Sequence, residues 1–187
     1  MDLETQRKDY FRALEWVGSL MSTTAQNQLD LPTPCADYSV RDLIGHLVGT
    51  AHRSTGTAQH LSTRHIPHVV TDVADEELAA TFISITHDIQ KLWRPFTSDE
   101  RVTAPWGPCT ALEALRGFTV ETITHGWDLA VATGQPHEAP NQIADHCLLF
   151  ASAVIPDRLR GVMYGKPVTD GNGDSPTTRL AHLLGHR

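Results

Sequence analysis

Apolar side chains recur along this chain at intervals of three and four residues, the spacing of one buried face of an α-helix. A first helix is predicted from Asp2 to about Leu29, with core positions Tyr10, Leu14, Val17 and Met21. A second is predicted from Val40 to about Gln59, because Ser39 and Asp42 have the spacing of a helix start. Its core positions are Val40, Leu43, Leu47 and Ala51, and a separate stripe contains Asp42, His46, Gly49 and Arg53.

The most regular apolar seam predicts a third helix, which begins at Asp72 or Asp75 and ends before Pro95. Its core positions are Leu78, Phe82, Ile85, Ile89 and Leu92. The stretch SDERVTAPWGPC then contains two prolines and a glycine, so a short extended or hairpin connection is predicted there.

A long fourth helix is predicted from Thr110 to Gly134. Thr110 and Glu113 form a capping box at its start, and Gly134 can adopt the left-handed conformation that ends a helix. Steps of three and four place Glu121 and His125 on one face with several small residues. The full stripe is Ala114, Gly117, Glu121, His125, Asp128 and Ala132, and it predicts the wall of a polar cavity.

Two shorter helices complete the predicted architecture. A fifth begins near Pro140, is ended or bent by Pro156 and has the seam Ile143, Cys147, Phe150 and Val154. A last one begins at Ser175 and Pro176 and uses Leu180, Leu183 and Leu184. With so little strand, the pattern predicts a single all-α domain over residues 1–187, a helical bundle with one or two additional C-terminal helices.

Charge and composition exclude several partners. The formal net charge is -7 and the pI is about 5.8, so no overall positive field favours nucleic acid or an anionic membrane. The N-terminal MDLETQRKDY lacks the apolar core of a signal peptide, and no apolar run is long enough to cross a bilayer, which predicts a cytoplasmic protein. Three cysteines without CxxC spacing suggest neither a disulfide framework nor a cysteine zinc site.

The candidate chemistry is a metal site made by His46, Glu121 and His125. Imidazole nitrogens and a carboxylate oxygen are ligands that zinc and similar metals accept, and three protein ligands leave a position open for water or substrate. The alternative is a buried hydrogen bond between Glu121 and His125, with His46 an ordinary core or surface histidine. Spacing alone does not decide between these interpretations.

Other polar residues have an ordinary interpretation beside a functional one. Asp42 and Asp128 lie one turn from His46 and His125, so each either orients an imidazole or is a solvated aspartate. Arg53 either binds an anionic group of a cofactor or is simply exposed, and Cys35 either is reactive or packs as a small loop residue. The remaining histidines are predicted to be surface residues: His52, His60, His65, His68, His87, His137, His146, His182 and His186.

Three stretches in order resemble the DinB-like superfamily: TPCADYSVRDLIGHLVG, ETITHGWDLAVATG and YGKPVTDGNGDSPTTRLAHLLG. Within it, they are most similar to the mycothiol-dependent maleylpyruvate isomerase N-terminal domain group. The resemblance implies a four-helix bundle that holds a divalent metal, zinc or else nickel, on a histidine of the second helix and a pair from a later helix. Carried over by motif, these are His46, Glu121 and His125. Many DinB-like members have three histidines, and the glutamate matches the isomerase type.

The resemblance also implies a reaction class. Family members with assigned reactions use the metal to bind a low-molecular-weight thiol and lower its pKa for attack on an electrophile. We therefore expect a mycothiol-type thiol, a small electrophile beside Gly49, Gly117 and Arg53, and a thiol transferase or isomerase-like activity, with a homodimer as the assembly. Because the isomerase has a second, C-terminal domain and this chain ends at Arg187, maleylpyruvate isomerisation itself is not expected. The alternatives are a metal-binding protein without turnover, acting in stress response or interaction, and a metal-dependent hydrolase.

Overall fold

Helices dominate the computed structural model, which describes residues 1–36, 38–140, 142–155, 160, 164–169 and 174–187. In that part of the chain lie α1 (Leu3–Thr23), α2 (Val40–Ala58), α3 (Leu78–Trp93), α4 (Ala111–Thr133), α5 (Ile143–Val154) and α6 (Pro176–Leu184). One antiparallel hairpin, β1 (Arg101–Ala104) with β2 (Gly107–Thr110), leads into α4. The predicted all-α class and the predicted hairpin are confirmed.

The first four helices form the bundle. Helix α1 packs against α3 and α4, and α2 packs against the same two helices, so α1 and α2 lie diagonally opposite each other. Their apolar faces meet in one core whose largest fully buried side chains are Trp93, Tyr10, Phe82, Phe118 and Leu14. Helices α5 and α6 pack on each other and on α4 around a second apolar cluster. The predicted bundle with additional C-terminal helices is therefore confirmed.

Side-chain caps fix the ends of the two helices that matter for function. Ser39 accepts a hydrogen bond from the backbone of Asp42 at the start of α2, and Thr110 does the same for Glu113 at the start of α4. Each acidic residue reaches back to the cap, so both form capping boxes. Gly134 ends α4 with φ 69°, in the left-handed region. These predicted boundaries are confirmed.

Three other predicted boundaries are wrong by several residues. Helix α1 ends at Thr23 and not near Leu29, because the Thr24 backbone is extended and its N–H turns back to the carbonyl of Met21. Helix α3 begins at Leu78, since Asp75–Glu77 forms a separate 3-10 turn. Helix α5 begins at Ile143 rather than near Pro140, and the predicted stop at Pro156 lies outside the described residues.

The connection after α2 folds back along that helix, and its residues 66–73 are called the 66–73 loop here. The N–H of Val70 donates to the carbonyl of Gly45 at 3.1 Å, and Arg41 donates to the carbonyls of Val70 and Val73 at 2.9 and 2.8 Å. A Cβ on Gly45 would lie only 2.6 Å from the carbonyl oxygen of Val70. The glycine therefore lets the loop backbone approach the helix.

Candidate metal centre

Two bundle helices bring the three predicted ligands together. His46 comes from α2, and Glu121 and His125 come from successive turns of α4. Glu121 Oε1 lies 3.0 Å from His46 Nε2 and 3.5 Å from His125 Nε2. The imidazole rings meet edge to face, with centroids 4.8 Å apart. One ligand atom from each residue lies within 4.8 Å of the other two.

Each imidazole is held from its far side. His46 Nδ1 lies 3.0 Å from the carbonyl oxygen of His68 in the 66–73 loop, and the ring packs against Tyr38 at a centroid distance of 5.3 Å. His125 Nδ1 lies 2.9 Å from Oδ2 of Asp128, one turn further along α4. Because a carbonyl and a carboxylate can only accept, both Nδ1 atoms donate, and both Nε2 atoms are directed towards Glu121.

This arrangement fits a divalent cation. Two imidazole nitrogens and one carboxylate oxygen converge, and ligands held about 2.0–2.1 Å from a tetrahedral zinc would lie about 3.3–3.4 Å apart. The separations of 3.0 and 3.5 Å lie on either side of that value. Outer groups that fix the tautomer and orientation of ligating histidines, as His68 and Asp128 do here, are the usual companions of such ligands. The donor set and its surroundings therefore fit a metal.

In the metal-free chain, the close approach of these side chains shifts the pKa values of His125 and Glu121. Burial lowers the pKa of His125, but hydrogen bonds with Asp128 and Glu121, together with their charges, outweigh it and raise that pKa to about 10. Burial raises the pKa of Glu121, but hydrogen bonds with His125 and His46 hold it well below its ordinary value. The Glu121 side chain is 39% exposed, whereas both imidazoles are about 10% exposed, so the carboxylate is the accessible member.

Asp128 connects this centre to a second group of side chains. The aspartate is fully buried, and its two oxygens lie 2.9 and 2.8 Å from Nδ1 of His186, just beyond α6. Burial raises the pKa of Asp128, but hydrogen bonds with His125 and His186 bring it below its ordinary value. The Cys35 sulfur lies within 4.8 Å of a ligand atom of each of these three residues. We call Cys35, His125, Asp128 and His186 the outer cluster.

Sequence reasoning considered His125, Asp128 and Cys35 one by one, but it placed His186, the fourth member of the outer cluster, on the surface. The possibility that Asp128 orients His125 agrees with the structure, and its alternative, a solvated aspartate, is wrong because the residue is fully buried. Asp42 instead serves the capping box of α2. Three histidines predicted as surface residues have side chains at most 30% exposed and Nδ1 within 3.2 Å of a carboxylate oxygen: His146 with Asp9, His182 with Asp174 and His186 with Asp128. No spacing signal marks the pairs of His146 and His186, because their partners are 137 and 58 residues away along the sequence.

The predicted polar cavity along α4 is not formed as expected. Gly117 is covered by the indole of Trp106, which occupies the space of a Cβ, and Ala114 lies in the bundle core. Gly49 is likewise covered, since a Cβ there would lie 3.1 Å from the carbonyl oxygen of Pro67. Neighbouring chain therefore packs against both glycines, and the position of the electrophile stays a prediction.

Arg53, predicted to bind a cofactor, is only 8% exposed. Its Nη2 donates to the carbonyls of Pro67 at 2.5 Å and Ile66 at 3.3 Å, and burial lowers its pKa despite the charge of Glu121. These bonds fix the start of the 66–73 loop, which carries the carbonyl that holds His46. The role of Arg53 towards a cofactor stays a prediction.

Comparisons with known proteins bear on the family and the fold of the chain. A family model described as the mycothiol maleylpyruvate isomerase N-terminal domain matches residues 12–130, a range that includes His46, Glu121 and His125. Uncharacterized protein Rv0738 of Mycobacterium tuberculosis (strain ATCC 25618 / H37Rv) is 29% identical over 180 residues, 93% of each chain. The crystal structure of the mycothiol-dependent maleylpyruvate isomerase superposes with a TM-score of 0.59 and 14% identity, covering 78% of this chain and 67% of that one. A mutant of that enzyme gives a TM-score of 0.60 with the same coverage.

None of the described helices has the length and apolar character of a membrane span.

Proposed function

The chain belongs to the mycothiol maleylpyruvate isomerase N-terminal domain family, and from that premise we propose that it is a metal-dependent enzyme of thiol chemistry. In this proposal His46, Glu121 and His125 hold a divalent metal, zinc or nickel, and a low-molecular-weight thiol of the mycothiol type attacks a small electrophile. The reaction class is a thiol transfer or a thiol-assisted isomerisation.

One observation carries the proposal: Nε2 of His46, Nε2 of His125 and Oε1 of Glu121 converge, while both Nδ1 atoms are held by acceptors outside the centre. A carboxylate that faces two imidazole nitrogens requires a cation or shared protons between them. A simple hydrogen bond of Glu121 within α4 would need only the imidazole of His125. The second, from another helix, favours a cation site over a simple Glu121 to His125 hydrogen bond.

Within this centre each residue has a distinct task. Asp128 and the carbonyl of His68 hold the two imidazoles in the orientation in which Nε2 is the ligand atom. Glu121 contributes a negative charge, so a site with two neutral imidazoles and one carboxylate leaves a divalent ion with a net positive charge. A metal held by these residues would supply the Lewis acidity that stabilises a thiol as its thiolate.

The thiol is inferred from the family, and the electrophile is left unassigned. The related solved structures are named as mycothiol-dependent enzymes, which supports a thiol of that class as the co-substrate here. The chain covers 67% of the isomerase chain, so the rest of that enzyme has no counterpart in the superposition. For this reason the proposal does not extend to maleylpyruvate. Cytoplasmic location and a homodimer remain part of the proposal as expectations.

Cobalt substitution tests the proposal directly. Chain loaded with Co²⁺ should develop an intense sulfur-to-metal charge-transfer band when mycothiol is added, and the band should be absent in Glu121→Ala. A parallel assay follows the consumption of thiol with model electrophiles such as maleimides and epoxides above the uncatalysed rate. A band without consumption would favour the metal-binding protein without turnover. Ester hydrolysis that needs metal but no thiol would favour the hydrolase.

A further inference from the structure

Beside the proposed metal centre, the outer cluster combines a thiol, two imidazoles and a buried carboxylate. One ligand atom of each of its four residues lies within 4.8 Å of those of the other three. The family match ends at residue 130, so His186 reaches the cluster from outside the matched range. The metal centre and the outer cluster share only His125. None of the tasks proposed for the metal centre uses the sulfur of Cys35.

The three cysteines of the chain differ sharply in accessibility. Cys35 is partly exposed, whereas Cys109 and Cys147 are buried, with exposures of 7% and 4%. Burial raises the pKa of both buried thiols. Neither is part of a group of possible ligands in the described chain, whereas Cys35 lies close to two imidazoles. A reagent that attacks thiols should therefore discriminate strongly in favour of Cys35.

The backbone around Cys35 is held in place. The hydroxyl of Thr33 donates to the carbonyls of Cys35 and Tyr38, both at 2.9 Å, and the N–H of Tyr38 donates to the carbonyl of Cys35 at 2.9 Å. Ser39, which follows Tyr38, caps the start of α2. The turn that carries the sulfur is thus anchored to the helix that carries His46.

From this geometry we infer that Cys35 is a covalent modification site, at which the disulfide of a low-molecular-weight thiol exchanges to leave the thiol attached to the protein. The exchange needs no external oxidant: the Cys35 sulfur attacks one sulfur of RS–SR, a mixed disulfide Cys35–S–S–R forms, the RS–SR bond breaks and RS⁻ leaves. The thiol proton passes to an imidazole and then to RS⁻, which departs as RSH. One disulfide is consumed and one is formed.

His186 is the residue placed to take that proton. One ring nitrogen of His186 lies within 4.8 Å of the Cys35 sulfur. Nδ1 of His186 donates to Asp128, whose carboxylate would stabilise the imidazolium that forms. His125 is also near, but in the proposed function its Nε2 is committed to the metal. The arrangement of thiol, imidazole and carboxylate is that of an activated sulfur nucleophile.

The identity of the thiol in this inference rests on the proposed function. A mixed disulfide at Cys35 would place the thiol moiety against His125 and His186, beside the position where the free thiol is proposed to bind. The adduct would therefore block thiol binding at the metal until it is reduced. This gives the proposed centre a reversible redox control.

The experiment uses cystine as the disulfide and the metal-free full-length chain, so that it does not depend on the proposed function. Intact mass should show one half-cystine per chain, peptide mapping should place it on Cys35, and Cys35→Ser should take up none. His186→Asn, which can still bond to Asp128, should slow the modification about tenfold or more, because the proton acceptor is lost. His182→Asn is the matched control on α6 and should react at the wild-type rate.

A second measurement addresses the metal centre. In the cobalt-loaded chain, cystine treatment should abolish the thiol charge-transfer band, and dithiothreitol should restore it. Modification that falls on Cys109 or Cys147, or an unchanged rate in His186→Asn, would overturn the inference. A cobalt chain that gives no band before treatment would defeat the proposed function alone, because the adduct on Cys35 is measured separately.

Discussion

The fully buried carboxylate of Asp128 accepts a hydrogen bond from Nδ1 of His125 at 2.9 Å, and this bond fixes the face that the imidazole presents to Glu121. Asp128→Asn keeps the shape of the side chain but removes the charge that favours the Nδ1–H tautomer. We expect metal affinity to fall about 10–100-fold, the usual cost of losing such an outer partner. Isothermal titration with Zn²⁺ measures the change.

Asp9→Asn is the matched control for this substitution. Asp9 is also a buried aspartate bonded to a histidine, with His146 Nδ1 2.6 Å away, but the pair lies between α1 and α5. The Asp9→Asn variant should therefore be less stable than the wild type but should bind metal with unchanged affinity. Equal affinity losses in the two variants would show that Asp128 acts only through general stability.

The metal stoichiometry tests the ligand set. Protein purified without an affinity tag should contain about one divalent metal ion per chain, and His46→Ala should reduce this to a small fraction because one of three ligands is lost. Elemental analysis gives the content, and circular dichroism should show unchanged helicity. His87→Ala, an exposed histidine on α3, serves as the control. Full metal occupancy in His46→Ala would refute the assignment.

The pKa of His125 predicts how the stability of metal-free protein depends on pH. The folded-state pKa is about 10 against an ordinary 6.5, so the folded state binds the proton more tightly. Its contribution to the free energy of unfolding is complete below pH 6.5 and is lost as the pH rises towards 10. The lowered pKa values of Glu121 and Asp128 act in the opposite direction, and their contributions are lost in acid.

Urea unfolding in the presence of a chelator measures this dependence. The stability difference between wild type and His125→Gln should be largest near pH 6.5 and should shrink towards pH 10. A difference that stays constant over this range would contradict the raised pKa. With metal bound the sign reverses, because ligating imidazoles must be deprotonated and affinity falls in acid.

The 66–73 loop approaches α2 closely at Gly45 and Gly49, and this predicts how alanine at each position changes the stability of the protein. Alanine favours a helix over glycine by about 1 kcal/mol, but a Cβ at Gly45 would lie 2.6 Å from the backbone oxygen of Val70. Gly45→Ala should therefore destabilise the protein, by about 1–3 kcal/mol as overpacking does, and should weaken metal binding by displacing the loop that holds His46.

Gly49→Ala is the matched variant on the same helix. Its Cβ would lie 3.1 Å from the carbonyl oxygen of Pro67, a smaller conflict that the gain in helix propensity nearly offsets. We expect a net stability change within about 1 kcal/mol of zero. Chemical denaturation and zinc titration of both variants check the pair, and greater stability in Gly45→Ala than in Gly49→Ala would contradict the close approach.

The helices were predictable because their signals are local. The caps at Ser39 and Thr110 and the left-handed Gly134 fix the bounds of α2 and α4, and the one-turn spacing alone places Glu121 beside His125. At Thr24 the turn geometry ends the helix, and the apolar spacing alone predicted a first helix that is several residues too long. The pattern included Leu92, which packs partly buried against the core, but it missed the fully buried Trp93 beside it.

The surroundings of the centre were not predictable in the same way. The contact of His46 with the carbonyl of His68 depends on a loop path, and any residue offers a carbonyl, so no side-chain pattern reveals it. His186 reaches Asp128 across 58 residues of sequence. Small residues on a helix face are equally compatible with an open cavity and with close packing, and the packing of Trp106 on Gly117 decides for the latter.

The unequal exposure of the three proposed ligands has an evolutionary consequence. Both imidazoles are locked from behind by groups that belong to the packing of the bundle, whereas Glu121 is 39% exposed and bonds only to the two histidines among the contacts described. A substitution at that single position would change the charge and softness of the donor set without any repacking. If the centre binds a metal as proposed, selection can retune its metal preference through the codon of Glu121 alone, while the two histidines stay in place.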